Sequence, residues 1–585
     1  MRQSNYDKYP FVQVEETNHN CFEGWQAIGM ELNAKLKSLN KKLAILVIEC
    51  YAGVLDEEVI PQLQKNIHHS LCINAKDAYK DESDILKMIY PDVTGDRVFG
   101  FLTRLTIEDY LNAQKINHIQ KRATTISEGV IVVYGTGASL LFPNFDVLVY
   151  ADMARWEIQM RMRRNEVDNL GVTNRQDEFS AKYKQGYFVD WRVCDRLKKK
   201  VFSQLNYLLD TNNKDHPKLV TADAIRKGLE ITVRQPFRVV PFFDPGPWGG
   251  QWMKEVCDLD ASAINYAWCF DCVPEENSVL LAFGDVKVEI PSIDLVFFQA
   301  EKLLGAKVYA RFGAEFPIRF DFLDTMGGSN LSLQVHPLTG YIQEKFGMHY
   351  TQDESYYILD AAHDAKVYLG LNNEVKTDEL FIELERAQNN ISDFDAEKYV
   401  ATWPVQKHDH VSIPAGTIHC SGANTMVLEI SATPYIFTFK LWDWNRLGLD
   451  NKPRPIHLEH GKNVLQQNRD KAWVKKHALN LIQPIDSGDG WREESTGLNE
   501  LEFIETRRHW FTKKVYHNTN GNLHVLNLVE GKEVVIESPE NKFNPFIVHY
   551  AETFIVPAAV GTYTIHPHGE AEGTECATLK AYVRC

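Results

Sequence analysis

The sequence predicts a multidomain chain of α/β plus β class: an N-terminal α/β domain on a parallel sheet, a β-barrel domain with a helical insertion, and a smaller C-terminal β domain. Three observations carry this. At 585 residues the chain exceeds what one hydrophobic core organises, so about two to four domains are expected. From about residue 43 to 235, apolar strand-like runs alternate with charged helical stretches, the pattern of a parallel sheet with crossover helices. Beyond residue 236 the chain changes to many short β-like runs separated by turn residues, the pattern of a barrel or sandwich. The expected boundaries are 1–235, 236–490 with the insertion at about 375–400, and 491–585.

The first domain reads in order. "KLAILVIECYAGVLDEEVIPQLQKNI" is a buried strand, a turn and an amphipathic helix, and "GVIVVYGTGASLLF" with "DVLVYADMARWEIQMRMRRN" supplies two more buried strands. The turn at Gly135 and Gly137 is the first place to look for phosphate binding. It lacks the later glycine of a dinucleotide fingerprint, and no GxxxxGK[ST] loop occurs. The strand that might lead into such a loop ends instead at Glu49, Cys50 and Tyr51.

The run "VVYGTGASLLFPNFDVLVYADMARWEIQMRMRRN" resembles the second half of uridine-kinase-like nucleoside kinases, in which a late strand precedes an arginine-rich lid. Arg155, Arg161, Arg163 and Arg164 match that lid loosely. With the P-loop missing, the resemblance implies a kinase-like domain that does not hydrolyse nucleotide. A nucleotide or sugar effector on this domain is the functional expectation, and packing alone is the alternative.

"QPFRVVPFFDPGPWGGQWM", rich in proline, glycine and aromatics, opens the second domain. Short strands follow at "LLAFGDVKVEI", "LSLQVHP", "SYYILD", "AKVYLGL", "DHVSIPAGTIHCSG" and "TMVLEISAT". From about residue 500, "NLHVLNLVEGKEVVI" and "ETFIVPAAVGTYTI" form the second, smaller β unit.

Composition narrows the partners. A net charge of −16 makes long-range steering toward nucleic acid or an anionic membrane repulsive, while leaving room for a locally basic pocket. The start "MRQSNYDKYPF" has no apolar signal core, and no run of eighteen or more apolar residues occurs. The expectation is a cytoplasmic protein. Ten cysteines scattered over this length read as reduced core thiols, and the lone CxxC of Cys269 and Cys272 lacks the second pair of a zinc ribbon.

Chemistry concentrates in "LSLQVHPLTGYIQEKFGMHYTQDESYYILD". On a strand Ser332, Gln334 and His336 share one face and Leu331, Leu333 and Val335 the other. Glu354 follows, and later "HDHVSIPAGTIHCSGAN" brings His419 three residues after Gly416. A Pro-x-Gly-x-x-His run late in a short-stranded β domain resembles the way cupin barrels present a final metal ligand. Two imidazoles, a carboxylate and an amide oxygen suit Zn²⁺ with an open position for water, and manganese or iron fits the same set. His408/His410 and His566/His568 also sit in pairs, and His566/His568, in the terminal unit without a carboxylate at motif spacing, is read as structural.

The segment from about 240 to 460 resembles class I mannose-6-phosphate isomerases. "FPIRFDFLDT", "LSLQVHP", "ESYYILD", "AKVYLGL", "VSIPAGTIH", "VLEI" and "KLWDWNRLGLDNKPRPIHLEHG" match that family's landmarks in order. The C-terminal β unit matches its second cupin domain, so the resemblance spans about 60% of the chain. It implies one Zn²⁺ on Gln334, His336, Glu354 and His419, and a small phosphosugar as substrate. The implied reaction moves a proton between C1 and C2 of a sugar 6-phosphate through an enediol. That needs a cation at the substrate oxygens, an acid/base group and basic side chains for the phosphate.

Glu429, in "VLEI", stands at a family active-site glutamate. Lys440 and Arg446 complete the expected catalytic set, and Arg319 with Lys440 the phosphate-binding pair. Three departures surround the substrate. Asp321 replaces a lysine, Lys440 replaces an arginine, and "ATPYI" replaces a Ser-Asp step. Lysine offers a point charge but not arginine's bidentate fork. The function expected is therefore mannose 6-phosphate/fructose 6-phosphate isomerisation, with a non-catalytic sugar-phosphate sensor, or a cupin enzyme for another sugar, as alternatives.

Overall fold

The computed structural model describes residues 4–14, 20–434, 436–497 and 502–585. The chain divides into two compact units. One comprises Phe11–Ile231 with Ser278–Phe298, and the other Met1–Pro10, Thr232–Asn277 and Gln299–Cys585.

The α/β unit is built on a seven-stranded sheet in the spatial order Cys21–Glu23, Lys218–Thr221, Tyr207–Asp210, Val147–Asp152, Leu43–Cys50, Gly129–Gly135, Leu71–Asn74. The five strands from Tyr207–Asp210 to Leu71–Asn74 run parallel, and Lys218–Thr221 and Cys21–Glu23 add antiparallel at one edge. "LAILVIEC" lies in the middle, with Leu46, Val47 and Ile48 fully buried, which explains its unbroken apolar run. Helix Trp25–Ser38 buries Trp25, Ile28, Leu32 and Leu36, one stripe at helical spacing. Gly29 belongs to the same stripe, where a Cβ would meet Asn66 Cβ at 2.6 Å, so only glycine lets the chain segments approach this closely. The hairpin Ser278–Phe283/Val286–Pro291 also belongs to this unit and pairs with Phe11–Val14.

Apart from the Ser278–Phe283/Val286–Pro291 hairpin, expected in the second domain but part of the α/β unit, the short strands form two antiparallel pairs of sheets. A six-stranded sheet runs His410–Ile413, Glu354–Ala361, Thr425–Ala432, Ile318–Asp324, Trp268–Cys272, Phe242–Asp244. A five-stranded sheet runs Val400–Pro404, Lys366–Leu371, His419–Ser421, Leu333–Val335, Phe439–Trp442. The helical insertion is Thr377–Gln388 followed by the turn Ala396–Tyr399. Toward the C-terminus a second pair of sheets, of six and four strands from Gln483–Gly488 to Cys576–Val583, closes on its own core of Phe511, Leu526, Leu528, Ile536, Phe554 and Ile565.

Among the described residues no helix is long and apolar enough to cross a membrane. Cys269 and Cys272 are buried on one strand of the first sheet, and all ten cysteines are free.

Candidate metal centre

Antiparallel register sets the site. Gln334 lies opposite both His419 and Lys440, while Glu429 lies opposite Asp321 and Tyr356. One row therefore comes from each facing sheet, and period-two alternation aims both rows inward. The strand Glu354–Ala361 adds Glu354 beside Ser431, and the turn at Gly416 returns the chain so that His419 faces Glu354. Gly416 has φ +83°, its N–H bonds to the His336 carbonyl at 2.9 Å, and a Cβ there would meet Gln466 Cγ at 2.7 Å. That turn holds the two histidine-bearing segments together.

His336, Glu354 and His419 are buried, and their ligand atoms lie within 4.8 Å of one another, the only such group of histidine, cysteine or acidic side chains among the described residues. His336 Nε2 is 3.0 Å from Glu354 Oε2, and His419 Nε2 is 2.7 Å from Glu354 Oε1. On the far side of each ring, His336 Nδ1 is 3.2 Å from the Phe437 carbonyl and His419 Nδ1 is 2.9 Å from the Thr417 carbonyl. Carbonyls only accept, so each neutral ring carries its hydrogen on Nδ1 and turns a bare Nε2 lone pair toward the carboxylate. Lone pairs facing lone pairs need a positive charge between them. A carbonyl on the far nitrogen that fixes the tautomer of a ligating imidazole is a recurrent feature of metal sites.

Gln334 Nε2 is 3.2 Å from His419 Nε2, and the other rotamer of this amide turns Oε1 to the same point. The four residues thus fit a divalent ion with mixed nitrogen and oxygen donors. Burial raises the Glu354 carboxyl, but its interactions with His336 and His419 hold it well below the usual carboxylate range.

Beside this cluster lies a buried acid/base group. Arg319 bonds both Glu429 Oε1 and, at 3.0 Å, Asp321 Oδ1. Burial pushes Glu429 well above the ordinary carboxyl range, with Asp321 and Glu354 adding to the rise against Arg319, and Asp321 itself is pushed up to about 6, chiefly by burial. Gln352, absent from the sequence reading, bridges the two groups: its Nε2 is 3.1 Å from Glu354 Oε2 and 3.3 Å from Glu429 Oε1. Its position two residues before Glu354, on the same face, was the available signal.

The basic residues separate into two kinds. Lys440 is half-buried next to Gln334, and burial followed by the charges of Arg454 and Arg446 pushes it down to about 7. Among the described residues it makes no ion pair. Arg446, by contrast, is held by Asp443 Oδ1 at 2.5 Å, Ser329 Oγ at 2.8 Å and the Asn330 carbonyl at 2.5 Å. Arg454 bonds Asp443 Oδ2 and Ser332 Oγ at 2.8 and 2.9 Å. It comes from the irregular "NKPRPIH" segment, where no periodicity could assign it a direction.

Elsewhere, the glycine turn of the α/β unit differs from expectation. Glu49 occupies its donors: Oε1 accepts from the Gly137 N–H at 2.6 Å, and Oε2 from the Ser139 N–H and hydroxyl at 2.8 and 2.7 Å. Those N–H groups are therefore not free for a phosphate. Arg155 and Arg161 are buried, Arg155 on Asp195 at 2.7 Å and Arg161 on Glu157 at 3.0 Å, while Arg164 reaches Glu157 and Glu166 and Arg163 lies over the Phe179 ring. His408 bonds Tyr357 and Glu530, His410 bonds Ser355, and His566 is 3.1 Å from Glu537.

Residues 24–234 match a domain of unknown function, DUF8485. The chain is 26% identical over 246 residues to a mannose-6-phosphate isomerase of Streptococcus mutans, covering 41% of this chain and 72% of that protein. It is 28% identical over 154 residues to mannose-6-phosphate isomerase ManA of Bacillus subtilis, covering 26% of this chain and 45% of that protein. A crystal structure of the Bacillus subtilis mannose 6-phosphate isomerase aligns with 60% of this chain and all of that one, at 19% identity and a TM-score of 0.49. Proteins named mannose-6-phosphate isomerase are thus among the relatives of this chain.

Proposed function

We propose that the chain is a metal-dependent aldose–ketose isomerase of cupin type that interconverts mannose 6-phosphate and fructose 6-phosphate through an enediol. The observation that carries this reading is the buried convergence of His336, Glu354 and His419 beside Gln334, with Glu429 alongside and joined to Glu354 through Gln352. Zn²⁺ is the proposed ion, held by Gln334, His336, Glu354 and His419; when bound, such an ion polarises substrate oxygens and stabilises enediolate charge.

In the proposed reaction Glu429 is the proton carrier: its carboxylate form takes the C2 proton of the aldose, and its acid form delivers a proton to C1 of the enediol, while the hydroxyl proton of O2 passes to O1. A buried carboxyl raised toward neutrality suits both directions. Gln352 orients Glu429 and Glu354 through one amide. Lys440, with Arg454 and Arg446 behind it, supplies net positive charge for a phosphate after Asp443 has neutralised one of the arginines. Arg319 is assigned to holding Glu429 and Asp321.

That last ion pair favours one other reading. A base locked by Arg319 suits a sugar-phosphate sensor that binds without turnover. A coupled assay of mannose 6-phosphate to fructose 6-phosphate on zinc-loaded protein, with His419→Ala prepared identically, separates the two. Turnover lost in the variant supports the isomerase; stoichiometric zinc with no turnover moves the assignment to the sensor.

A further inference from the structure

The C-terminal pair of sheets carries a second polar constellation, inside its own barrel and made of residues that the isomerase reading does not use. Period-two alternation from core residues puts them there. His509 shares a face with Phe511, His517 with Val515, His524 with Leu526, Tyr563 with Ile565, and Thr578 and Lys580 with Cys576. One end of the interior is thus apolar and the other is lined by three histidines, a tyrosine, a threonine and a lysine. All six are at least nine-tenths buried.

Several of these groups are unsatisfied among the described residues. His509 Nδ1, His517 Nε2 and Thr578 Oγ1 have no hydrogen-bond partner. Lys580 makes neither a hydrogen bond nor an ion pair there, its nearest aromatic contact being the Tyr582 ring at 5.8 Å. Native interiors rarely leave buried polar atoms unpaired, and taking an ammonium out of water is costly. The carboxylates whose charge reaches Lys580 are shared with other groups: Glu493 Oε1 is 3.3 Å from His509 Nε2, and Glu505 bonds Arg507 and Arg584.

We propose that this end of the C-terminal barrel binds a small oxyanion, a carboxylate or a phosphate ester, with Lys580 as its counter-charge and Thr578 and His517 as hydrogen-bond donors. The rings are arranged for it: His509 and His517 meet edge to face at 4.6 Å, His517 stacks on Tyr563 at 5.1 Å, and Tyr563 Oη is 2.9 Å from His524 Nδ1. Burial holds all three imidazoles below their usual range, and a ring nitrogen can present either a donor or an acceptor. A metal ion fits less well, since the ligand atoms of these histidines do not converge as those of His336, Glu354 and His419 do and the Lys580 ammonium repels a cation. Arg507, Glu493 and Arg584, each with about a fifth to a quarter of the side chain exposed, join this end of the barrel to solvent.

The inference is independent of the isomerase reading. Calorimetric titration of the full-length, EDTA-treated protein with inorganic phosphate and with acetate tests it and separates the two ligand sources. Saturable binding of at least one anion is expected, weakened tenfold or more by Lys580→Met, retained by Lys580→Arg and unaffected by His336→Ala. Lys580→Met, which removes an ammonium that burial disfavours, is also expected to leave the unfolding temperature of the ligand-free protein unchanged or higher. A lysine that merely supports the fold would lower it. The proposal is overturned if neither anion binds in a Lys580-dependent manner, if ligand-free Lys580→Met melts below wild type, or if a second equivalent of zinc binds and is lost in His517→Ala.

Discussion

Glu354 Oε1 lies 2.7 Å from His419 Nε2, while the opposite nitrogen of the same ring faces the Thr417 carbonyl. An acceptor nitrogen and a carboxylate oxygen at that distance are stable only with a shared positive charge. In the proposed function a bound metal ion supplies that charge, and its binding is then expected to be coupled to folding of this barrel. Adding Zn²⁺ at a thousandfold excess over its Kd should stabilise the protein by about 4 kcal/mol, and EDTA should reverse it. Glu354→Ala should bind no zinc at all. Metal content by atomic emission and unfolding midpoints with and without chelator decide the point; equal midpoints would remove the metal from the site.

Gly416 makes the same cluster depend on one backbone position. Its φ of +83° and the 2.7 Å approach of Gln466 leave no room for a side chain. Gly416→Ala should cost about 1 kcal/mol or more from the dihedral alone. Because the Gly416 N–H holds the His336 carbonyl, zinc affinity should fall in parallel. A variant with lowered stability and unaltered zinc Kd would show that the turn supports the fold but not the ligands.

Lys440 and Arg446 are both basic and both near the proposed substrate, yet their surroundings give them different jobs. Lys440 has no ion pair among the described residues, whereas Arg446 spends its guanidinium on Asp443, Ser329 and Asn330. Lys440→Met should raise KM for mannose 6-phosphate about tenfold, the 1.4 kcal/mol of one charged contact, with little change in Tm. Arg446→Met should instead lower Tm, because Asp443 loses a partner. Kinetics and melting of the two variants, side by side, test the division; an unchanged KM in Lys440→Met removes that residue from the site.

The contrast also marks what a sequence can and cannot reveal. Periodicity placed Gln334 and His336 opposite the apolar Leu333 and Val335, and the Pro-x-Gly-x-x-His spacing anticipated the turn that brings in His419. Strand alternation is local and survives folding, so these were legible. Arg454 and the capture of Arg446 by Asp443 depend on a loop doubling back across Ser332, and no local pattern encodes that. The same limit applies in the α/β unit. The sequence exposed the glycine turn at Gly135 and Gly137 but not that Glu49, more than eighty residues earlier, sits on its donors.

Glu49 provides a pH signature away from the metal. Burial pushes its carboxyl up from 4.5 to about 7, even with Ser139 and Gly137 donating to it. The folded state therefore holds a proton that the unfolded chain releases at lower pH. With the folded value above the unfolded one, this contribution is fully present below about 4.5 and is lost as pH rises through about 7. Its full size is on the order of 3 kcal/mol, from 1.36 kcal/mol per unit. Stability of the α/β unit should accordingly fall between pH 5 and 7.5, and Glu49→Gln should flatten the decline. Urea midpoints across that range give the answer. A wild-type curve that rises instead would mean that the two backbone donors and the Ser139 hydroxyl keep Glu49 ionised throughout, and that the turn is held by a buried carboxylate.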